Sequence, residues 1–392
     1  MTELRTGIEL GHARQPSLSE LAFVFLKLGT ISFGGPAAHI AMMENEFVRK
    51  RRWITEADFL DRLAAANLIP GPSSTEVAIF IGHSKCGWAG LLVAGCCFII
   101  PAAVMVAMIA AVYARFGSLP QVAGILYAIK PAVIAIILQA LWRLARTAAR
   151  TKVLAAVGVI SIVLNALGIS PLLVLAIAGI ASGAALWLER REHGALFAVP
   201  LSGRFALLLG APAAVAMVPV SMLRLFLSFM KIGSVVFGSG YVLLAFLRAE
   251  FIGHLHWLTE KQLIDAVAVG QFTPGPVFTT ATFIGYLVAG IPGAVVATLG
   301  IFLPGFLLVA ISGPLIPKLR RSPMAGAILD GVVAGSLALM AVVAWQLGRA
   351  AIVDWLTALI FVASAVALLR FRLNSAWLIG GAALIGLMVK AH

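Results

Sequence analysis

The chain has 392 residues, 61% of them hydrophobic and 11% charged, with a mean hydropathy of +1.03. A water-soluble globule of this length cannot bury that much apolar surface, so the composition calls for a bilayer. The net charge of +13 sits in short basic runs such as Arg49-Lys50-Arg51-Arg52, without interleaved aromatics or a recognition fold; this argues against nucleic-acid binding and for a positive-inside membrane topology.

Residues 1–20 lack the apolar core of a signal peptide and are expected to form a cytoplasmic segment. Two interrupted apolar segments follow, 21–47 with Gly34-Gly35-Pro36 and 60–82 with Pro70-Gly71-Pro72. Four candidate spans come next, at roughly 86–114, 122–144, 151–167 and 171–188, completing a first unit, 21–191. A linker, 192–221, leads into a further uncharged stretch, Phe205–Leu223. The second unit, 222–392, repeats the pattern, with interrupted segments at 223–250 and 262–285 and spans near 287–313, 324–347, 351–369 and 373–390. Cys86, Cys96 and Cys97 start or lie within an apolar segment and read as small buried hydrophobes. The His254/His256 pair lacks the companions of a metal site, and nothing implies a cofactor.

The two units are copies. Shifted by 204 residues, Phe25–Pro36 lies on Phe229–Gly240, Glu46–Glu56 on Glu250–Glu260, Asp61 on Asp265 and Pro70–Pro72 on Pro274–Pro276. A one-residue adjustment then pairs Gly82 with Gly285, Gly90 with Gly293 and Pro101 with Pro304. Repeats of this size in a polytopic membrane protein are characteristic of transporters. The extra crossing between them predicts that the second copy is inverted. Charge bias agrees, since the run at 49–52 is basic and its mate at 253–256 lacks Lys and Arg, whereas the bias reverses between Arg115 and Lys318/Arg320/Arg321. All basic loops fall on one side if the interrupted segments are re-entrant, which predicts an all-α protein with nine full crossings; thirteen full spans is the alternative.

Proline donates no backbone hydrogen bond and disturbs the residue before it, so each Pro-Gly-Pro ends one short helix and starts another. Loose backbone at membrane depth must face protein or a cavity. Ser73, Ser74 and Thr75 in one copy, and Thr279 and Thr280 in the other, then lie in a new first turn that offers N–H groups, hydroxyls and a partial positive charge. Gly34, Gly35 and Pro36, with Gly238, Ser239 and Gly240, supply the matching breaks. Four helix ends meeting near the midplane predict an anion site. Lys27 and Lys231, each seven residues before its glycine break, add positive charge or snorkel to the interface. Lys130 and Asp330 occupy corresponding apolar surroundings, as a charge pair or in transport. Glu76, one turn past Pro72, is either a proton carrier or a carboxylate offsetting a helix dipole.

The stretches Phe33–Pro36, "WITEADFLD" at 53–61, "NLIPGPSSTEVAIFIGH" at 67–83 and "GQFTPGPVFTTATFIGY" at 270–286 resemble the chromate ion transporter family in its long, two-repeat form. The resemblance covers nearly the whole chain and implies a multi-pass inner-membrane protein that exports chromate and confers chromate resistance, with sulfate as a similar competing dianion. Gly238-Ser239-Gly240 departs from the three glycines usual there, which puts the symmetry of the two half-sites in doubt. Motifs of an intramembrane enzyme, such as H-E-x-x-H, are missing. The lipid bilayer and the anion are the expected partners, and the oligomeric state, a homodimer included, is left open.

Overall fold

The computed structural model describes residues 15–117, 119–148, 150–192, 219–237, 240, 242–312, 322–371, 373 and 375–390, and every regular element among them is helical. Helix α1 (Leu18–Ile31) starts on the Ser17 hydroxyl, which accepts from the Glu20 N–H, and stops where Ser32 turns extended. Gly34 and Gly35, both at positive φ, redirect the chain into α2 (Gly35–Glu44), which runs on as a π turn, Asn45–Lys50. Thr55 caps α3 (Glu56–Ala66); the Pro-Gly-Pro break leads into α4 (Ser73–Phe116), then α5 (Pro120–Ala148), α6 (Lys152–Ala166) and α7 (Pro171–Glu192).

The second copy reuses the same devices: α8 (Met222–Gly233), α9 (Leu243–Leu247) with a π turn at Arg248–His254, then α10 (Glu260–Phe272) capped by Thr259. A single 3-10 turn precedes α11 (Thr280–Ser312), followed by α12 (Pro323–Ala351), α13 (Trp355–Arg370) and α14 (Ser375–Lys390). Even the unusual left-handed residues correspond, Arg52 with His256. Helices α4 and α11 each bend at a glycine, Gly87 (φ 58°) and Gly290 (φ 63°), and fold back sharply. The arms touch where Gly82 meets Gly90 and Gly285 meets Gly293; a Cβ on any of the four would overlap the facing carbonyl oxygen.

Both hairpins of the first copy return to the face from which they start. Arg51, at the end of the first, bonds Glu20 at the start of α1 (3.0 Å), and Lys85, at the end of the second, feels Asp58 and Arg62 at the start of α3. The interrupted segments are therefore re-entrant. The 88–116 arm of α4 then runs about 43 Å to the opposite face. There Tyr113, three residues from its end, donates a hydrogen bond to Asp265 (2.8 Å), five residues into α10, and packs on Phe283. The hairpin of the second copy thus opens on the other face, and the repeats are inverted.

Among the described residues, five helices are long and apolar enough to cross a membrane, the two bent ones included. Helices α6, α13 and α14 are apolar but have only 15 or 16 residues, so each falls short of the ~30 Å hydrocarbon layer and depends on its flanks or on local thinning. The expectation of nine full crossings counts these three among its spans. The proposed ninth, 205–223, lies mostly outside the described residues, as do the linker that holds it, Lys318, Arg320 and Arg321.

Candidate anion-binding site

The four breaks converge through two reciprocal backbone bonds. Gly71 N–H donates to the Val236 carbonyl (2.8 Å), and Gly275 N–H donates to the Ser32 carbonyl (2.9 Å). Positions 32 and 236, like 71 and 275, are related by the 204-residue offset, so each Pro-Gly-Pro loop docks on the broken helix end of the other copy. Gly71 (φ 136°) and Gly275 (φ 85°) hold conformations that favour glycine, and a Cβ on Gly275 would press against Ala102 at 2.5 Å. A Cβ on Gly240 would come within 3.8 Å of Pro36, which brings the remaining two breaks together. Gly238 and Ser239 lie outside the described residues.

The two half-sites differ chemically. In the first, the N–H groups of Thr75 and Glu76 turn back to the Pro72 carbonyl, and Ser74 bonds Nδ1 of His39 (3.3 Å). The other nitrogen of His39 meets the Ser32 carbonyl (3.0 Å), so one buried imidazole ties the glycine break to the helix after Pro70-Gly71-Pro72. Among the described residues, the buried hydroxyls of Thr75 and Ser32 find no hydrogen-bond partner, nor does either carboxyl oxygen of Glu76, a residue with no exposed surface. Glu76 leans over Gly71, where a Cβ would collide with its Oε1, and Gly305 of α11 leaves room on the other side. In the second half-site Thr279 and Thr280 donate to the Pro276 and Val277 carbonyls (2.8 Å each), so neither hydroxyl proton is free for a ligand.

The lysines stand elsewhere. Lys231 is exposed and bonds Glu250 (2.5 Å), while Lys27, also exposed, lends its charge to Glu46, the counterpart of Glu250. Each lysine thus faces the π turn of its own copy. Lys130 does not pair with Asp330; its partner is Asp265 (2.9 Å), fully buried on α10. Lys130 and Asp330, which occupy corresponding places in the two copies, thus have different neighbours on α5 and α12. Asp330 is exposed and lines a cavity of about 180 Å³ with Arg150, Leu144, Ala148, Phe237 and Val242. This cavity lies where α5 ends and α12 begins, on the face that carries Arg49–Arg52, and it reaches the residues flanking the Gly238–Gly240 break.

His39, Ser32 and Tyr113 escaped the sequence reading because nothing local marks them. Asp265 had a signal in its alignment with Asp61, but the partner that makes it informative comes from the other copy.

The profile of the chromate transporter family matches residues 19–183 and 223–387. The chain belongs to the chromate transporter family. It is 35% identical over 387 residues to a chromate transport protein of Cupriavidus metallidurans, covering 95% of this chain and 93% of that one. It is 32% identical to a probable chromate transport protein of Synechococcus elongatus (88% of each chain) and 31% identical to a chromate transport protein of Pseudomonas aeruginosa (83% and 79%). No solved structure matches significantly.

Proposed function

We propose that this family member exports chromate across the inner membrane and that the anion binds where the four helix breaks meet. The reading rests above all on the reciprocal bonds Gly71–Val236 and Gly275–Ser32, which gather helix starts, glycines and hydroxyls into one buried region. Helix N-termini and close-approach glycines suit an oxyanion. The basic face is cytoplasmic by the positive-inside rule, so the Arg150 and Asp330 cavity is the inward mouth and the site is reached from the cell interior. A dianion leaving a cell that is negative inside gains about 2 × 2.3 kcal/mol per 100 mV, so export needs no further coupling. Sulfate, a tetrahedral dianion of similar size, is the competitor to include.

The test is uptake of labelled chromate by inside-out vesicles energised with an interior-positive potential. Wild-type vesicles accumulate chromate, and Gly71→Ala, whose new Cβ meets only a flexible side chain yet strains the left-handed backbone, does so several-fold more slowly at equal membrane content. Vesicles that take up no chromate above empty controls would refute export.

A further inference from the structure

We infer that Lys130, Asp265 and Tyr113 form the outer gate of the permeation path, and that the outgoing oxyanion opens it by replacing Asp265 as the counter-ion of Lys130. The inference rests on the export reading above. Three elements from both copies meet at this point. Lys130 of α5 contacts Oδ1 of Asp265 (2.9 Å), Tyr113 of α4 donates to Oδ2 (2.8 Å), and Asp265 belongs to the re-entrant hairpin of the second copy. The aspartate has no exposed surface, so in this state the hairpin is sealed against α4 and α5 on the outer side. On the opposite face the Arg150 and Asp330 cavity opens toward the second glycine break. One side is closed by a charge cluster while the other is open, as expected of an inward-facing transporter.

A lone ammonium in hydrocarbon is costly, and Lys130 therefore needs an anionic partner at every moment. Asp265 lies nine residues before Pro274, about 13 Å along α10 from the proposed site. Its Oδ1 faces Lys130 without hydrogen-bond alignment, a Coulombic contact that another oxyanion can take over. When the dianion reaches Lys130 the positive charge keeps a partner, Asp265 is freed toward the outer water, and the α10 hairpin can part from α5. Gate opening and anion passage then become one event, and an empty carrier stays shut because nothing else satisfies Lys130.

The experiment uses the full chain in right-side-out vesicles, in a background without Cys86, Cys96 and Cys97. A reporter cysteine replaces Val269, buried one turn deeper on α10 than Asp265. An impermeant thiol reagent is applied from outside. Asp265→Asn should raise the labelling rate roughly tenfold or more, the factor set by weakening a hydrogen bond to a charged group. Chromate, but not chloride at matched ionic strength, should raise labelling with Asp265 intact and add nothing in Asp265→Asn. Tyr113→Phe, which keeps the ion pair, should give an intermediate rate and covers the case in which the aspartate variant fails to fold. Unchanged labelling in well-folded Asp265→Asn or, failing that, in Tyr113→Phe would overturn the gate. Faster labelling in the variants with no response to chromate, in protein that still transports it, would overturn the displacement step while leaving export intact.

Discussion

At the scale of single residues, the most informative side chain is Glu76, because it is a poor choice for stability. A buried carboxyl without a hydrogen-bond partner costs free energy that an apolar side chain of similar size does not. Such a residue is retained for a reason other than folding, and its place over Gly71 in the more polar half-site supplies one. Glu76→Met is therefore expected to stabilise the detergent-solubilised protein by roughly 1–3 kcal/mol, seen as a higher melting temperature, while chromate uptake falls. The opposite pair of results, a lower melting temperature with normal uptake, would make Glu76 a packing residue. His39 is the contrasting case, since its two hydrogen bonds join Ser32 to Ser74 and give it a structural task.

At the scale of elements, the first hairpin is held shut at its mouth by charge. Arg51 bonds both Glu46, at the π turn, and Glu20, at the start of α1. Burial alone would raise the Glu46 carboxyl, but the hydrogen bond from Arg51 and the charges of Lys27, Arg51 and Lys50 outweigh it and hold the group below its ordinary 4.5. A carboxyl with a depressed folded value contributes stability that is complete above the ordinary value and fades as pH falls through the lowered one. Replacing Glu46 by Gln should then lower stability by roughly 1.5–3 kcal/mol at neutral pH, and the difference from wild type should shrink only below about pH 4.5 in melting curves. A gap that stayed constant into acid would exclude this ion cluster as its source. The hairpins themselves were legible in the chain, because Pro-Gly-Pro and Gly34-Gly35-Pro36 have backbone consequences that act locally. So was the separation of 60–82 from 86–114, now seen as the bend at Gly87. The Lys130–Asp265 contact was not legible, since it joins residues 135 positions apart and depends on how one copy packs on the other.

At the scale of the whole molecule, inversion is what turns two similar sequences into one transporter with two faces. Inversion is geometric in the meeting of Tyr113 with Asp265 and Phe283 at the far end of the long α4 arm, and electrostatic in the gathering of basic runs on the other face. Packing and charge imply the same topology. If the hairpins are re-entrant and the copies inverted, Arg49 and His254, which occupy nearly equivalent places at the ends of corresponding π turns, lie on opposite sides of the membrane. Both side chains are well exposed, at 71% and 72%, so a cysteine at either is accessible to a reagent on its own side. In a background without Cys86, Cys96 and Cys97, an impermeant maleimide added to intact cells should label His254→Cys and leave Arg49→Cys unlabelled until the membrane is opened. The paired design makes the outcomes separable. Labelling of both from outside would mean that the copies are parallel in this region. Labelling of Arg49→Cys alone would reverse the orientation, put the Arg150 and Asp330 cavity on the outer face, and turn the proposed direction of transport around.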